Sequence, residues 1–350
     1  MFAVLDLPQL YTKPTAKALL DTLALLTLTL PSWETSNTRD GNGLEKTNTT
    51  QHEATQINPE GVTRYLTSIV SSDLRWIQND EIKEEIWDLA SARLSERSGR
   101  TAMRAMSRRF RIPSPGGSFE LVIHEPTMTG DDLGLKTWAA SYLLAKRLHN
   151  FQLVKTGDTE RLRVLELGSG TGLVGLAMAG LGADVVLTDL PNIHSNLTRN
   201  AKDNAAIIEQ NNGSTSCGIL DWNIPHSLSI FPIHDLNTIG SGVSIDEKFK
   251  LILAADSLYS PDHPQMLVNS IEAWLAAETD SKVIIEFPYR DAYMPEIKDF
   301  RERMGKIGLR ILEEGEEKGY DDWGVAKENE GDDGAMVTCW WSCWGRAVQN

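Results

Sequence analysis

At 350 residues the chain can hold a catalytic domain of roughly 200–250 residues together with an accessory region. Its 49 acidic against 34 basic side chains leave a formal charge of −15, which argues against a protein that wraps nucleic acid over its whole surface, because phosphate binding needs concentrated Lys and Arg. Three cysteines are too few for a disulfide framework, and Cys339 and Cys343 lack the second ligand pair of a zinc site, so a reducing, cytoplasmic setting without a metal is the expectation.

The apolar stretch from Ala18 to Leu30 is interrupted by Asp21 and several threonines and is too short to span a bilayer. Asp6 before it and Pro31-Ser-Trp33 after it do not fit a signal peptide, so no membrane role is expected. Residues 1–30 read as a short helical segment and residues 31–60, rich in Ser, Thr, Asn and Gly, as a flexible linker. From Gly61, Tyr65, Leu66, Ile69, Val70, Leu74 and Ile77 recur at helical spacing, and Ile82, Ile86, Leu89 and Leu94 continue after Asn79-Asp80. The spacing predicts two packed helices in an extension over residues 61–118. Phe119, Leu121 and Ile123 alternate as in a half-buried strand and open a second domain, residues 119–350.

A helix is predicted over Thr137 to Leu148, followed by short apolar strands alternating with helices, the pattern of a parallel sheet covered on both faces. Seven strands are predicted: Arg163 to Leu167, Asp184 to Thr188, Cys217 to Leu220, Phe249 to Ala254, Lys282 to Phe287, Arg310 to Glu313 and Met336 to Trp344. The last two, joined by a run without helical pattern, are expected to be antiparallel neighbours at the end of the sheet.

The chemistry concentrates after the first strand. Gly168-Ser-Gly-Thr-Gly172 makes a strand–turn–helix in which a ligand can approach bare backbone at a helix N-terminus. Dinucleotide folds and plain tight turns use the same spacing. Glu166 at the mouth of the turn would repel a pyrophosphate but suit the ammonium and sulfonium of S-adenosylmethionine. Asp189, at the end of the second strand, is placed to accept hydrogen bonds from ribose hydroxyls.

Gly134-Leu-Lys-Thr-Trp138, the glycine turn, Thr188-Asp189, Leu220-Asp-Trp222 and Ala255-Asp-Ser-Leu-Tyr259 occur in an order and spacing that resembles methyltransferase family 16, the seven-strand protein-lysine methyltransferases. The likeness covers about residues 119 to 345. It implies a Rossmann-like class I methyltransferase sheet carrying an N-terminal helical extension, with S-adenosylmethionine as cofactor. It also implies that Trp138 packs against the cofactor, Gly168, Ser169 and Gly170 line its amino-acid end, Asp189 holds the ribose, Asp221 and Trp222 flank the adenine, and Ala255 sits beside it. Core filling is the alternative for Trp138 and Trp222. Asp256 and Tyr259 mark the lysine-modifying group. They would bind and aim the acceptor amine, which near neutrality must lose a proton before it can attack. A helix N-cap is the other role open to Asp256. Tyr289 and Arg290 are candidates for the lysine channel, Arg290 equally for a rim salt bridge.

The organisation is closest to fungal proteins that methylate a translation elongation factor, so the implied partner is a protein bearing an acceptor lysine. Other acceptors, another protein nitrogen or a small molecule, and a fold that has lost catalysis stay open. Seven arginines against one Glu from Arg93 to Arg111 read as the solvated face of a helix or a dock for an acidic partner or RNA. Ten acids against two lysines from Glu313 to Asp333 would attract a lysine-bearing substrate or solvate a long hairpin.

Overall fold

The computed structural model describes residues 4–27, 61–97, 105–127, 133–154, 161–231, 241–242, 247–320 and 336–346. The expected linker over 31–60 lies outside them. Two compact units divide the chain, Met1–Arg104 and Ala105–Asn350.

The first unit is helical: α1 (Ala16–Leu25), α2 (Val62–Val70) and α3 (Asp80–Arg97). Thr15 caps α1 by accepting the Ala18 N–H at 3.2 Å, and Asn79 accepts that of Ile82 at 3.2 Å ahead of α3. Leu19, Leu23, Tyr65, Leu66, Ile69 and Ile86 form its core. Leu74 and Ile77 are buried as their spacing predicts but lie between helices, with Leu74 at φ 46°, while Val70 is exposed. Among the described residues no helix is long and apolar enough to cross a membrane.

The second unit opens with a hairpin that the sequence reading half missed. β1 (Met106–Ser114) pairs antiparallel with β2 (Gly117–Glu125), which contains the predicted alternation. β1 thus belongs to the second unit, which starts at Ala105 rather than after residue 118, and Arg108, Arg109 and Arg111 of the basic run lie on a strand, not a helix face. Arg108 is buried against Glu125, while Arg109 and Arg111 reach Glu120 across the hairpin. Within that hairpin the positive charge is largely met by acids of the next strand.

After α4 (Ala139–Arg147) come β3 (Arg163–Leu167), α5 (Leu173–Gly180), β4 (Asp184–Asp189), α6 (Pro191–Asp203), α7 (Ala205–Gln210), β5 (Ser214–Ile219), and two short strands, β6 (Ser229–Phe231) and β7 (Ser241–Gly242). Then follow β8 (Leu251–Ala255), α8 (His263–Trp274), β9 (Lys282–Pro288), α9 (Met294–Lys306), β10 (Leu309–Tyr320) and β11 (Met336–Arg346). The sheet order is β10-β11-β9-β8-β3-β4-β5-β6-β7. The seven predicted strands are all present, with β6 and β7 added at one edge, too short for any alternation to mark them. β10 and β11 are antiparallel neighbours as expected, but β11 inserts between β9 and the edge strand β10. The fold is the Rossmann-like class I methyltransferase sheet.

α8 and α9 cover one face, packing Leu267, Ile271, Ile297 and Phe300 on Leu165, Leu167, Ile252 and Ile285. α5 packs on the other so closely that a Cβ at Gly175 would stand 2.2 Å from Leu187 Cδ2. Strands on either side of β3 are reached by crossovers running in opposite directions, which leaves a crevice at the carboxyl ends of β3, β4 and β8.

Candidate active site

That crevice is a cavity of about 220 Å³ lined from the ends of five strands: the glycine turn after β3, Asp189 after β4, Asp221 and Trp222 after β5, Ala255 to Ser257 and Tyr259 after β8, and Arg290 after β9. Trp138, at the N-cap of α4, closes one side. The geometry thus brings together every site residue read from the sequence except Glu166 and Tyr289.

Gly168, Gly170 and Gly172 have φ of 68°, 56° and 90°, a region where side chains are strained. A Cβ on Gly168 would also come within 3.1 Å of the Trp222 ring, and one on Gly170 within 3.1 Å of the Gly134 carbonyl oxygen. The turn is tied to β4: Ser169 N–H donates to the Thr188 carbonyl at 2.9 Å and Gly170 N–H to the Asp189 carboxylate at 2.7 Å. Gly172 N–H donates back to the Ser169 carbonyl at 2.7 Å. With three of its amides spent inside the protein, this turn is not the amide cradle that a pyrophosphate requires. Asp189 also accepts its neighbour Leu190 N–H at 2.7 Å, and burial raises its carboxyl above the ordinary range against the pull of those two N–H groups. A carboxylate has about four acceptor positions, so two N–H groups leave room for ribose hydroxyls.

Glu166 is a correction. It is buried outside the cavity lining, and its carboxyl turns under α5 to accept the Gly175 N–H at 3.1 Å. Burial, partly opposed by hydrogen bonds from Ser169 and Gly175, pushes its pKa up to about 8. It shapes the turn from behind and is mostly protonated at neutral pH.

Asp256 adopts φ 53°, a left-handed conformation that Asp tolerates better than most residues, and its N–H donates to the Glu286 carbonyl at 3.0 Å. The next helix, α8, starts seven residues later with Asp262 at its N-cap, so helix capping is not the role of Asp256. His263 stands between two aromatics of the site. Its ring centroid is 4.3 Å from Tyr259 and 6.1 Å from Trp222, both edge-on, and its Nδ1 lies 3.0 Å from the Ser257 carbonyl. That contact is shorter than the 3.5 Å approach of the Tyr259 N–H to the same nitrogen, which favours the ring hydrogen on Nδ1. Burial lowers the His263 pKa, so the ring is neutral at pH 7. The Tyr259 hydroxyl shifts the other way, raised by burial and then by the charges of Asp189 and Asp256, and stays protonated.

The sequence matches the lysine methyltransferase family over residues 117–304. It is 32% identical over 284 residues to protein-lysine N-methyltransferase rrg1 of Schizosaccharomyces pombe, covering 81% of this chain and 84% of that one. The chain belongs to the lysine methyltransferase family. It is also 35% identical over 267 residues to protein-lysine N-methyltransferase EFM2 of Saccharomyces cerevisiae, 71% of this chain but 59% of the longer yeast protein. EEF1A lysine methyltransferase 3 of Xenopus tropicalis shares 28% over 152 residues, 43% of this chain and 57% of that one.

The cavity of this lysine methyltransferase fits S-adenosylmethionine. The glycines leave bare backbone where an amino-acid end would lie, Asp189 offers the ribose a carboxylate, and Trp222 an aromatic wall against Gly168. Arg290 lines the cavity with its guanidinium 5.3 Å from the Trp138 ring centroid, whereas Tyr289 packs on the core under α9 and Tyr293 takes the lining position.

Three elements escaped the sequence reading. His263 carries no motif beyond lying near Tyr259. Asn196 and Asn200 of α6 and Asn204 at its C-cap, one turn apart, use their amides to pair with the backbone edge of β2: Asn204 with Val122 N–H and carbonyl at 2.8 Å each, Asn200 with those of His124 at 2.8 and 3.1 Å. Asn200 additionally donates to the Thr171 carbonyl at 2.9 Å, joining the hairpin to the glycine turn. Their polar stripe at helical spacing was the available signal. Third, Glu286, paired with Ala255 across β8 and β9, is fully buried. Burial and then the charge of Glu317, which itself binds Arg147 at 2.6 Å, raise the Glu286 carboxyl well above its usual range.

Proposed function

We propose that this chain transfers a methyl group from S-adenosylmethionine to the ε-amine of a lysine in a protein, and that the protein is a translation elongation factor. The observation that carries the transfer is Asp256, held in a left-handed conformation on the cavity wall beside Tyr259 and one strand from the cofactor turn. Relatives named as protein-lysine N-methyltransferases, one of them for EEF1A, support the acceptor. When bound, S-adenosylmethionine supplies an electrophilic methyl group on a sulfonium.

On this reading Gly168, Ser169, Gly170, Asp189, Asp221, Trp222, Trp138 and Ala255 hold the cofactor. Asp256 and Tyr259 act on the lysine. An ammonium with a reference pKa of ~10.4 keeps its lone pair tied to a proton, and an uncharged amine is needed for attack. The carboxylate of Asp256 binds the arriving ammonium and aims it, the face of Tyr259 replaces water around it, and one N–H proton passes to solvent before the freed lone pair takes the methyl group, whose bond to sulfur breaks to leave a neutral thioether. The Tyr259 phenol, kept protonated, remains a neutral neighbour. A cytoplasmic site of action, where elongation factors work, belongs to the same proposal.

The test is incubation of the purified chain with radiolabelled cofactor and a fungal extract, with the labelled residue identified by mass spectrometry. Label on lysine of an elongation factor is the expected result. Label on another protein's lysine refutes the elongation-factor assignment, and label on RNA or a metabolite refutes the lysine assignment.

A further inference from the structure

Large apolar side chains are rarely exposed in clusters on a soluble domain, and clustering is more informative than any single exposed one. Among the described residues of the second unit, those exposed are Leu190, Ile224, Tyr259, Met294 and Leu312. All but Leu312 either line the cavity or directly follow a residue that does. Leu190 and Tyr259 line it, Ile224 directly follows lining residue Asn223 in the turn closed by the Ile224 N–H on the Asp221 carbonyl (2.8 Å), and Met294 directly follows lining residue Tyr293. Ile224 is 61% exposed and Met294 43%, so neither serves the core.

We infer that this ring is the docking surface for the protein substrate, and that it takes a segment in which apolar side chains flank the acceptor lysine. The inference rests on the lysine-methyltransferase reading above and deepens it. A lysine has only a four-carbon stem, so when its amine reaches Asp256 its own backbone lies at the mouth and its neighbours lie on the ring. The formal charges lining the cavity nearly cancel, Lys136 and Arg290 against Asp189, Asp221 and Asp256, and the Arg290 guanidinium lies over Trp138. Charge therefore offers the substrate's flanks little, whereas burial of four large apolar side chains offers a recognition surface of the kind that dominates binding. A small-molecule acceptor would leave the ring uncovered.

The experiment uses the full chain, radiolabelled S-adenosylmethionine and, as substrate, an extract of yeast grown with a methylation inhibitor. Both ring substitutions, Ile224→Ser with Met294→Ser, are at exposed positions and leave folding intact. The expected result is about a tenfold rise in the extract concentration giving half-maximal lysine labelling, with the plateau rate and the calorimetric cofactor affinity kept within about twofold. Leu312→Ser, away from the mouth, is expected to match the parent. A double variant that labels lysine like the parent would overturn the docking surface, and a steep loss of the parent's labelling as salt is raised would make charge the recognising feature instead. If the parent places label on RNA or a metabolite and none on protein lysine, the function reading itself fails, and the surface with it.

Discussion

Replacing Glu166 by Gln separates the two roles that sequence and structure give this residue. In the cofactor-free protein its carboxyl holds a proton up to about pH 8, against a reference near 4.5. Raised by burial, an acid of this kind contributes stability that is fully present below pH 4.5 and is lost as pH climbs through 8, because the unfolded chain can ionise it and the folded chain cannot do so without cost. At about 1.4 kcal/mol per unit, the interval corresponds to a loss of up to about 5 kcal/mol from this group alone. Glutamine keeps the shape and can still accept the Gly175 N–H, but does not ionise. Urea denaturation of parent and Glu166→Gln from pH 5 to 8.5 should give nearly equal stabilities at pH 5 and a variant more stable by several kcal/mol at pH 8. Taking the difference between the two proteins removes titrating groups common to both that do not act on Glu166, such as Glu286, while the charge of Asp189, which helps raise Glu166, stays part of the contrast. Parallel pH profiles would refute the buried, protonated carboxyl. Calorimetry supplies the second arm: cofactor affinity should change by less than about threefold, and a loss beyond about tenfold, roughly 1.4 kcal/mol, would return Glu166 to the ligand's ammonium.

Asp256→Asn keeps a residue that tolerates the left-handed backbone while removing the charge, so transfer should fall by about 100-fold or more with cofactor affinity nearly unchanged; equal loss of both in kinetics and calorimetry would place Asp256 in the cofactor site. Gly168→Ala adds backbone strain of about 1–2 kcal/mol and pushes on Trp222, and calorimetry should show cofactor affinity reduced about tenfold or more. Asn200→Ala removes the partner of the His124 N–H and a donor to the Thr171 carbonyl, while the His124 carbonyl keeps Asn196, and should lower stability in urea by about 1–3 kcal/mol.

The elements legible in the sequence were those with a period and a boundary. Val164, Leu165 and Leu167 before Gly168, or Ile284, Ile285 and Phe287 in β9, are apolar runs that only a strand buried on both faces explains. β1 was lost because its charged Arg109 and Arg111 alternate with buried Phe110 and Ile112 only once the pairing with β2 is known, and arginine density drew attention to charge instead. Glu166 misled for a related reason. It does stand near the end of β3, but strand alternation decides on which face a side chain emerges, and Glu166 emerges against α5 beside Gly175 rather than toward the crevice. His263 and the asparagine stripe depend on contacts between distant segments, which no local pattern encodes.

Two of the three aspartates lining the crevice, Asp189 at the end of β4 and Asp256 just after β8, stand on the strands either side of β3 and differ in what the backbone asks of them. Asp189 has extended neighbours and spends both oxygens on N–H groups of the turn and of Leu190, so it is fixed as part of the wall that a ribose would meet. Asp256 has its own N–H held by the carbonyl of Glu286 and a backbone forced to φ 53°. Such strain persists only where the surroundings over-determine it, and here the parallel register of β8 with β9 does so up to Ala255. Relaxing that turn to an extended conformation would carry Asp256 out of the cavity wall. On the proposed reading the strain is therefore the means by which the acceptor-side carboxylate is presented, and Asp256→Gly, which relieves it without adding bulk, should stabilise the fold slightly while abolishing transfer, an opposition that urea denaturation and a label assay on the same protein would show.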